Sequence, residues 1–404
     1  MMAGLHPRQK GSRHRYGYRM ILPMTVSMPP STPRGVVYLD ANATEPLRPG
    51  AAQAMVDAAR LVGNPSSVHA AGRAARALLE EARGTVAQAL GVAPLNCVFT
   101  SGGTEANVLA MQGLGAGRRF LAGRTEHDAV RKGMPAGAAT EWLEVDANGQ
   151  VRLDLLEQAL AQPDAPPAFV CLMLTNTGTG VLHPMAEIVR LCQRHGAHLH
   201  VDAVQAAGRM ALAVEDQGFD SLACSGHKMG GPKGAGALLL RGPAPARLTP
   251  VFEGGGQEQG RRGGTQALPA IAGLAAALAE SLAQLGKSAS LRDQLEQAAT
   301  AHGAVVCGGQ APRLANTSCL ALPGRGAQGQ LMRLDLDGLC VSAGSACSSG
   351  KVAFSHVLDA MGLGPLAGQA IRVSLPWNVT EADVQHFIQA YARLAAAPAP
   401  AALV

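Results

Sequence analysis

Five loops of this 404-residue chain carry side chains suited to chemistry, and each follows a short apolar run. Cys97-Val98-Phe99 leads into Thr100-Ser101-Gly102-Gly103-Thr104. Paired glycines and hydroxyls at the opening of a helix present backbone N–H groups and a positive dipole end to an anion. A plain helix cap on Thr104 fits the same residues. Phe120-Leu121-Ala122-Gly123 leads into Arg124-Thr125-Glu126-His127, and Leu172-Met173-Leu174 into Thr175-Asn176-Thr177-Gly178-Thr179-Gly180. His198-Leu199-His200-Val201 ends at Asp202, with Gln205 three residues on. Ser221-Leu222-Ala223-Cys224 ends at Ser225-Gly226-His227-Lys228, followed by a glycine-rich turn.

Singly these are weak signals. A lone histidine is more often core or surface than catalyst, an aspartate after a strand often caps a helix, and a lysine often caps a turn. The ordered set fits one group, pyridoxal phosphate. A lysine holds its aldehyde as a Schiff base, a carboxylate partners its pyridinium nitrogen, and an anion site anchors its phosphate. Lys228 is the Schiff-base candidate, since an amine held near a cationic cofactor and away from bulk water can attack. Asp202 is the pyridinium partner. The glycines after Lys228 let backbone pass close to the cofactor.

The elements that must position these loops alternate. Helical periodicity marks 73–90, 152–162 and 185–196, while strand-like runs fill 97–101, 118–123, 140–145, 168–176, 198–204, 221–225 and 236–241. This alternation argues for an α/β domain around a largely parallel sheet, with ligands bound beyond the carboxyl ends of its strands. The segment 267–287 reads as a packed soluble helix, alanine-rich and interrupted by Glu280.

These segments resemble the cysteine desulfurase family, of the pyridoxal-phosphate fold-type I, class V aminotransferase-like superfamily. The likeness runs from VYLDANATEPLRP near residue 37 to IRVSLPWNVTEADV near residue 384. It passes through GNPSSVHAAGRAAR, VFTSGGTEANVLA, TEHDAV, HVDAVQAAG, SGHKMGGPKGAGAL, GGGQEQGRRGGT and VSAGSACSS. The last motif separates desulfurases from relatives that transaminate. The resemblance implies a large pyridoxal-phosphate domain, residues 51–284, with a mainly parallel seven-stranded sheet. Residues 36–50 and 285–396 would form a smaller α+β domain carrying a cysteine loop.

It also implies roles. Lys228 would hold the cofactor aldehyde and Asp202 the pyridine nitrogen, with Gln205 and Asn176 near the ring hydroxyl. His127 would stack over the ring and move protons. Thr104, Ser225, His227 and the Gly103 backbone would hold the phosphate. Thr265 would reach the cofactor of a neighbouring subunit, making a homodimer obligatory. Arg372 would pair with the substrate carboxylate, assisted by Asn64. Cys347, in a small, polar and flexible setting, would attack the sulfur of L-cysteine as a thiolate. Alanine would leave, and the persulfide would pass to an acceptor protein, such as an iron–sulfur scaffold or a tRNA-thiolation protein.

Two features depart from the family pattern. The family usually has an Asn-Glu pair followed two residues later by glycine, where this chain reads Asn176-Thr177-Gly178-Thr179-Gly180 with no acid, and Glu45 stands where a threonine is common. Rival readings are a selenocysteine lyase, a class V aminotransferase or a non-catalytic scaffold of the same fold. A dinucleotide site at Gly113–Arg118 fails on spacing and precedes a strand. Cys192, His195, His198 and His200 lack the clear pairing of a zinc site, so no metal is expected.

The bulk numbers agree. Hydrophobic residues are 47% and charged residues 16% of the chain, ordinary for a globular protein. Arg8, Lys10, Arg13, Arg15, Arg19 and Arg34 supply +6 in an acid-free head, so the formal net charge of +5 leaves −1 for the rest. With only 3% aromatics, a nucleic-acid partner is not expected, nor is a membrane span. Residues 1–35 read as a disordered or artefactual basic tail and 397–404 as a second tail. The 8 cysteines form no C-x-x-C pair, which suits a reducing compartment; with the basic head read as a tail rather than a transit peptide, the expected place is the bacterial cytoplasm ahead of the mitochondrial matrix.

Overall fold

The structure, a computed structural model, describes residues 35–242, 244–343 and 354–397. Residues 1–34 and 398–404 of the two tails, and the Cys347 loop, lie outside the described residues. Strand β1 (Val37–Tyr38) lies apart from the main sheet. The main sheet has seven strands: β2 (Cys97–Thr100), β3 (Arg119–Gly123), β4 (Thr140–Leu143), β5 (Ala168–Met173), β6 (His198–Asp202), β7 (Ser221–Ser225) and β8 (Gly236–Leu240). Their spatial order is β2-β8-β7-β6-β5-β3-β4. Only the pairings made by β8 are antiparallel. The sheet is therefore mainly parallel, as the alternation predicts.

Every position of β5 is buried, because both faces of the sheet are covered. Val170, Leu172, Leu199 and Val201 pack against the helices Ala70–Ala89, Met185–Arg194 and Leu268–Leu282. On the other face Val98, Ala223 and Leu238 pack against Ala106, Leu109 and Ala110 of the helix Gly103–Leu114. The predicted strand 168–176 stops at Met173 because Asn176 turns the chain: its Oδ1 accepts from the N–H groups of Gly178 (2.9 Å) and Thr179 (3.0 Å).

Beyond the main sheet, β9 (Val305–Val306), β10 (Thr317–Ala321), β12 (Ser342–Ala343) and β13 (Ala370–Ser374) form a four-stranded antiparallel sheet in the order β12-β13-β10-β9. β1 pairs in parallel with β11 (Leu339–Cys340). Leu320, Ile371 and Val373 share a second core with Leu295, Phe387 and Tyr391, from the helices Ala289–Ala301 and Glu381–Ala396. Among the described residues, no helix is long and apolar enough to cross a membrane.

Candidate functional site

Asp202 is the last residue of β6 and is only 6% exposed. Its Oδ2 accepts from Asn107 Nδ2 at 2.8 Å and its Oδ1 from the Val204 N–H at 3.0 Å. Burial raises the pKa of this carboxyl; the Val204 N–H, His127, Asn107 and Lys228 pull the other way.

Lys228 ends a short 3-10 turn after β7, and its Nζ donates to the carbonyls of Asn42 (2.5 Å) and Ala43 (2.9 Å). Gly230 takes a left-handed φ of +88°, and a Cβ there would meet Arg48 Cγ at 2.5 Å. Its freedom therefore serves the packing of the loop on Arg48, whose backbone N–H donates to the Gly230 carbonyl. His127 caps the helix Asp128–Arg131, with Nδ1 accepting from the Ala129 N–H at 3.0 Å. A neutral ring then carries its proton on Nε2.

Of the proposed phosphate residues, Gly103, Thr104 and Ser225 gather around the start of the helix Gly103–Leu114. A Cβ on Gly103 would come within 2.4 Å of Val204, so the backbone approaches the Asp202 loop as only glycine permits. Ser225 is buried, its Oγ 3.7 Å from where a Cβ on Gly102 would stand. Glu105, in the first turn of that helix, accepts from the Ser101 N–H at 2.8 Å and pairs with Arg262 at 2.7 Å. His227 pairs with Thr44 Oγ1 at 3.2 Å, and burial lowers its pKa to about 4. Thr104 is exposed on the first turn.

Other candidates are engaged within the chain. Gln205 donates to the Asn42 carbonyl at 2.9 Å and accepts from Arg209. Asn176 holds its own loop and donates to the Thr125 carbonyl at 3.3 Å. Arg372 is 4% exposed and pairs with Asp40 at 2.6 Å, while its Nε is buried with no hydrogen-bond partner. Asn64 and Thr265 sit in exposed loops, joined to the other candidates by no hydrogen bond among the described residues. Of the two departures, Glu45 finds a physical reason: it pairs with Arg209 at 3.2 Å, both side chains buried.

Sequence reasoning missed several residues here. Asn107 is a polar residue at a buried helix position, one turn beyond Gly103, and that mismatch was the available signal. Asn42 collects Lys228, Gln205 and Arg209. Glu126 is fully buried with Oε2 unsatisfied, its pKa driven well up by burial, and its Oε1 accepts from the Met173 N–H.

A buried carboxylate without a cationic side chain bonded to it, a lysine, a histidine and a glycine-backed helix terminus fit pyridoxal phosphate in donor and charge. The comparisons agree. The family described as Aminotransferase class-V matches residues 37–387. The chain is 36% identical to an IscS-like cysteine desulfurase of Mycobacterium tuberculosis, over 86% of this chain and 93% of that one. It is 38% identical to a cysteine desulfurase of Cereibacter sphaeroides, over 87% and 94%. The solved NifS-like protein of Rickettsia africae superimposes with a TM-score of 0.82 at 32% identity, covering 89% of this chain and 99% of that one.

Proposed function

Because the chain belongs to the cysteine desulfurase family of the class-V aminotransferases, we propose that it removes the sulfur of L-cysteine and releases alanine, with pyridoxal phosphate as cofactor. The observation that carries this reading is the buried carboxyl of Asp202 at the end of β6, held by Asn107 Nδ2 and the Val204 N–H with no cationic side chain bonded to it among the described residues. When bound, pyridoxal phosphate supplies an electron sink for the carbanion formed at the substrate Cα.

Lys228 would hold the cofactor aldehyde through Nζ, and Lys228 or His127 would take the α-proton. His127, with a proton on Nε2, would stack on the ring. Asp202 would partner the ring nitrogen, with Gln205 and Asn176 near the ring hydroxyl. Thr104, Ser225, His227 and the Gly103 N–H would hold the phosphate. Arg372, with Asn64, receives the substrate carboxylate. Cys347 attacks as a thiolate: its S–S bond to the substrate sulfur forms as the Cβ–S bond breaks. The three-carbon remainder takes up a proton and leaves as alanine, and the persulfide passes to an acceptor protein.

The active form on this reading is a homodimer. Val62 and Val68, in the loop that holds Asn64, are 86% and 84% exposed, and Phe252, before the Thr265 loop, is 54% exposed. Apolar side chains this open mark a surface for covering. The test is an absorbance spectrum of purified protein with an assay of alanine from L-cysteine, for wild type and Cys347→Ala. The reading requires a band near about 400 nm, as for pyridoxal phosphate on lysine, and alanine formation that disappears with Cys347. A band without cysteine-dependent alanine would assign another substrate.

A further inference from the structure

A line of buried polar groups runs from Asp202 back along the main sheet. Beyond the Asn107 contact, Asn107 Oδ1 lies 2.8 Å from His200 Nε2. His200 Nδ1 lies 2.9 Å from Ser221 Oγ, and Ser221 Oγ lies 3.1 Å from His198 Nε2. Asn107, His200 and Ser221 are fully buried.

Only one distribution of protons satisfies every contact when Asp202 is ionised. A carboxylate only accepts, so the amide turns its NH2 towards it. The amide oxygen then needs a donor, so His200 carries its proton on Nε2. Its Nδ1 must accept, so the Ser221 hydroxyl points there. The serine oxygen is left to accept from His198 Nε2–H. Burial lowers the pKa of His198 to about 4 and that of His200 to about 3, so each ring is neutral with one proton to place. For His198 Asp220 opposes this shift, while Arg118, Arg241 and Arg247 reinforce it.

The far end of the line is anchored and reachable. Phe169 stacks on His198 with ring centroids 4.7 Å apart and planes 13° apart. His198 also lines a cavity of about 470 Å³ with Arg118, Asp220, Arg241 and Arg247. His198 opens β6 and Asp202 closes it, so this cavity adjoins the end of β6 opposite the candidate site.

We propose that His198 and Ser221 are positioning residues for the reaction: they hold a one-directional chain of hydrogen bonds that keeps Asp202 ionised and aimed at the cofactor nitrogen. The chain rests on the assignment of Asp202 made above. Aligned donors polarise one another, so each link strengthens the last one onto the carboxylate. Both act on Asp202 through His200 and Asn107.

The experiment uses holoenzyme without substrate and measures the pyridoxal-phosphate dissociation constant, the maximum of the visible band and the melting temperature. Ser221→Ala cuts the line, Ser221→Thr keeps the hydroxyl, and His198→Phe keeps the ring stack but removes the donor. Ser221→Ala is expected to weaken cofactor binding about fivefold, the scale of one buried hydrogen bond, and to move the band. Ser221→Thr restores both, and His198→Phe moves both in the direction of Ser221→Ala. A lowered melting temperature with unchanged dissociation constant and band, in Ser221→Ala and His198→Phe alike, overturns the proposal and leaves a packing role. Wild-type protein that takes up no pyridoxal phosphate overturns the assignment of Asp202 itself, a result distinct from the first. His198→Phe, at the cavity wall, keeps the question answerable if the Ser221 variants fail to fold.

Discussion

Two buried acids of this molecule are treated in opposite ways. Glu258 receives Arg83 through two hydrogen bonds, at 2.6 and 2.9 Å, with the Phe99 N–H at 2.9 Å and Gln266 Nε2 at 3.0 Å. Those partners overcome burial and lower its pKa. Asp202 is bonded to an amide and a backbone N–H, and burial prevails. The first acid is neutralised within the chain and pins the 253–266 loop against β2. The second keeps an unbalanced charge that a cationic ring nitrogen would complete. A structural acid and a functional one differ here in whether the chain brings its own cation.

Breaking the first pair is the larger perturbation. Arg83→Leu leaves Glu258 buried and unpaired, and unfolding measured by denaturant should show a loss of about 3–5 kcal/mol. Glu258 also sets a pH dependence. Its folded pKa lies below its unfolded value, so its contribution is present above the unfolded pKa and is lost as pH falls through the folded one. In Arg83→Leu that contribution disappears.

Asp202 carries the opposite sign. Its folded pKa is raised, so in the cofactor-free protein stability falls as pH rises from the unfolded pKa through the folded one. Cofactor-free Asp202→Asn should therefore be more stable than wild type at pH 7, by about 1–2 kcal/mol, the cost of an incompletely paired buried polar group. The gain should vanish below the unfolded pKa, about 4. Equal stability of the two proteins at pH 7 would mean that the structure balances Asp202 as fully as Glu258.

The main sheet was legible in the sequence chiefly where its strands are continuous apolar runs. Ala168–Met173 shows no alternation and is buried at every position. The large helices were legible from their periodicity, and strand ends marked Lys228, Asp202 and His127 because chemistry-bearing residues followed apolar ones. Partnerships across strands were not legible. Ser221 and His200 face each other by sheet register, and Asn107 reaches His200 from a helix 93 residues away. No local spacing encodes that meeting. Glu45 read as a departure until Arg209 was placed against it. The short strands Leu339–Cys340 and Ser342–Ala343 were missed because two residues carry no period.

The most direct test of the central claim is to reduce pyridoxal-phosphate-loaded protein with borohydride and map the modified lysine by peptide mass spectrometry. The account predicts a single pyridoxyl adduct on Lys228, lost in Lys228→Ala. An adduct on Lys233 or another lysine, or none on protein incubated with excess cofactor, would contradict it.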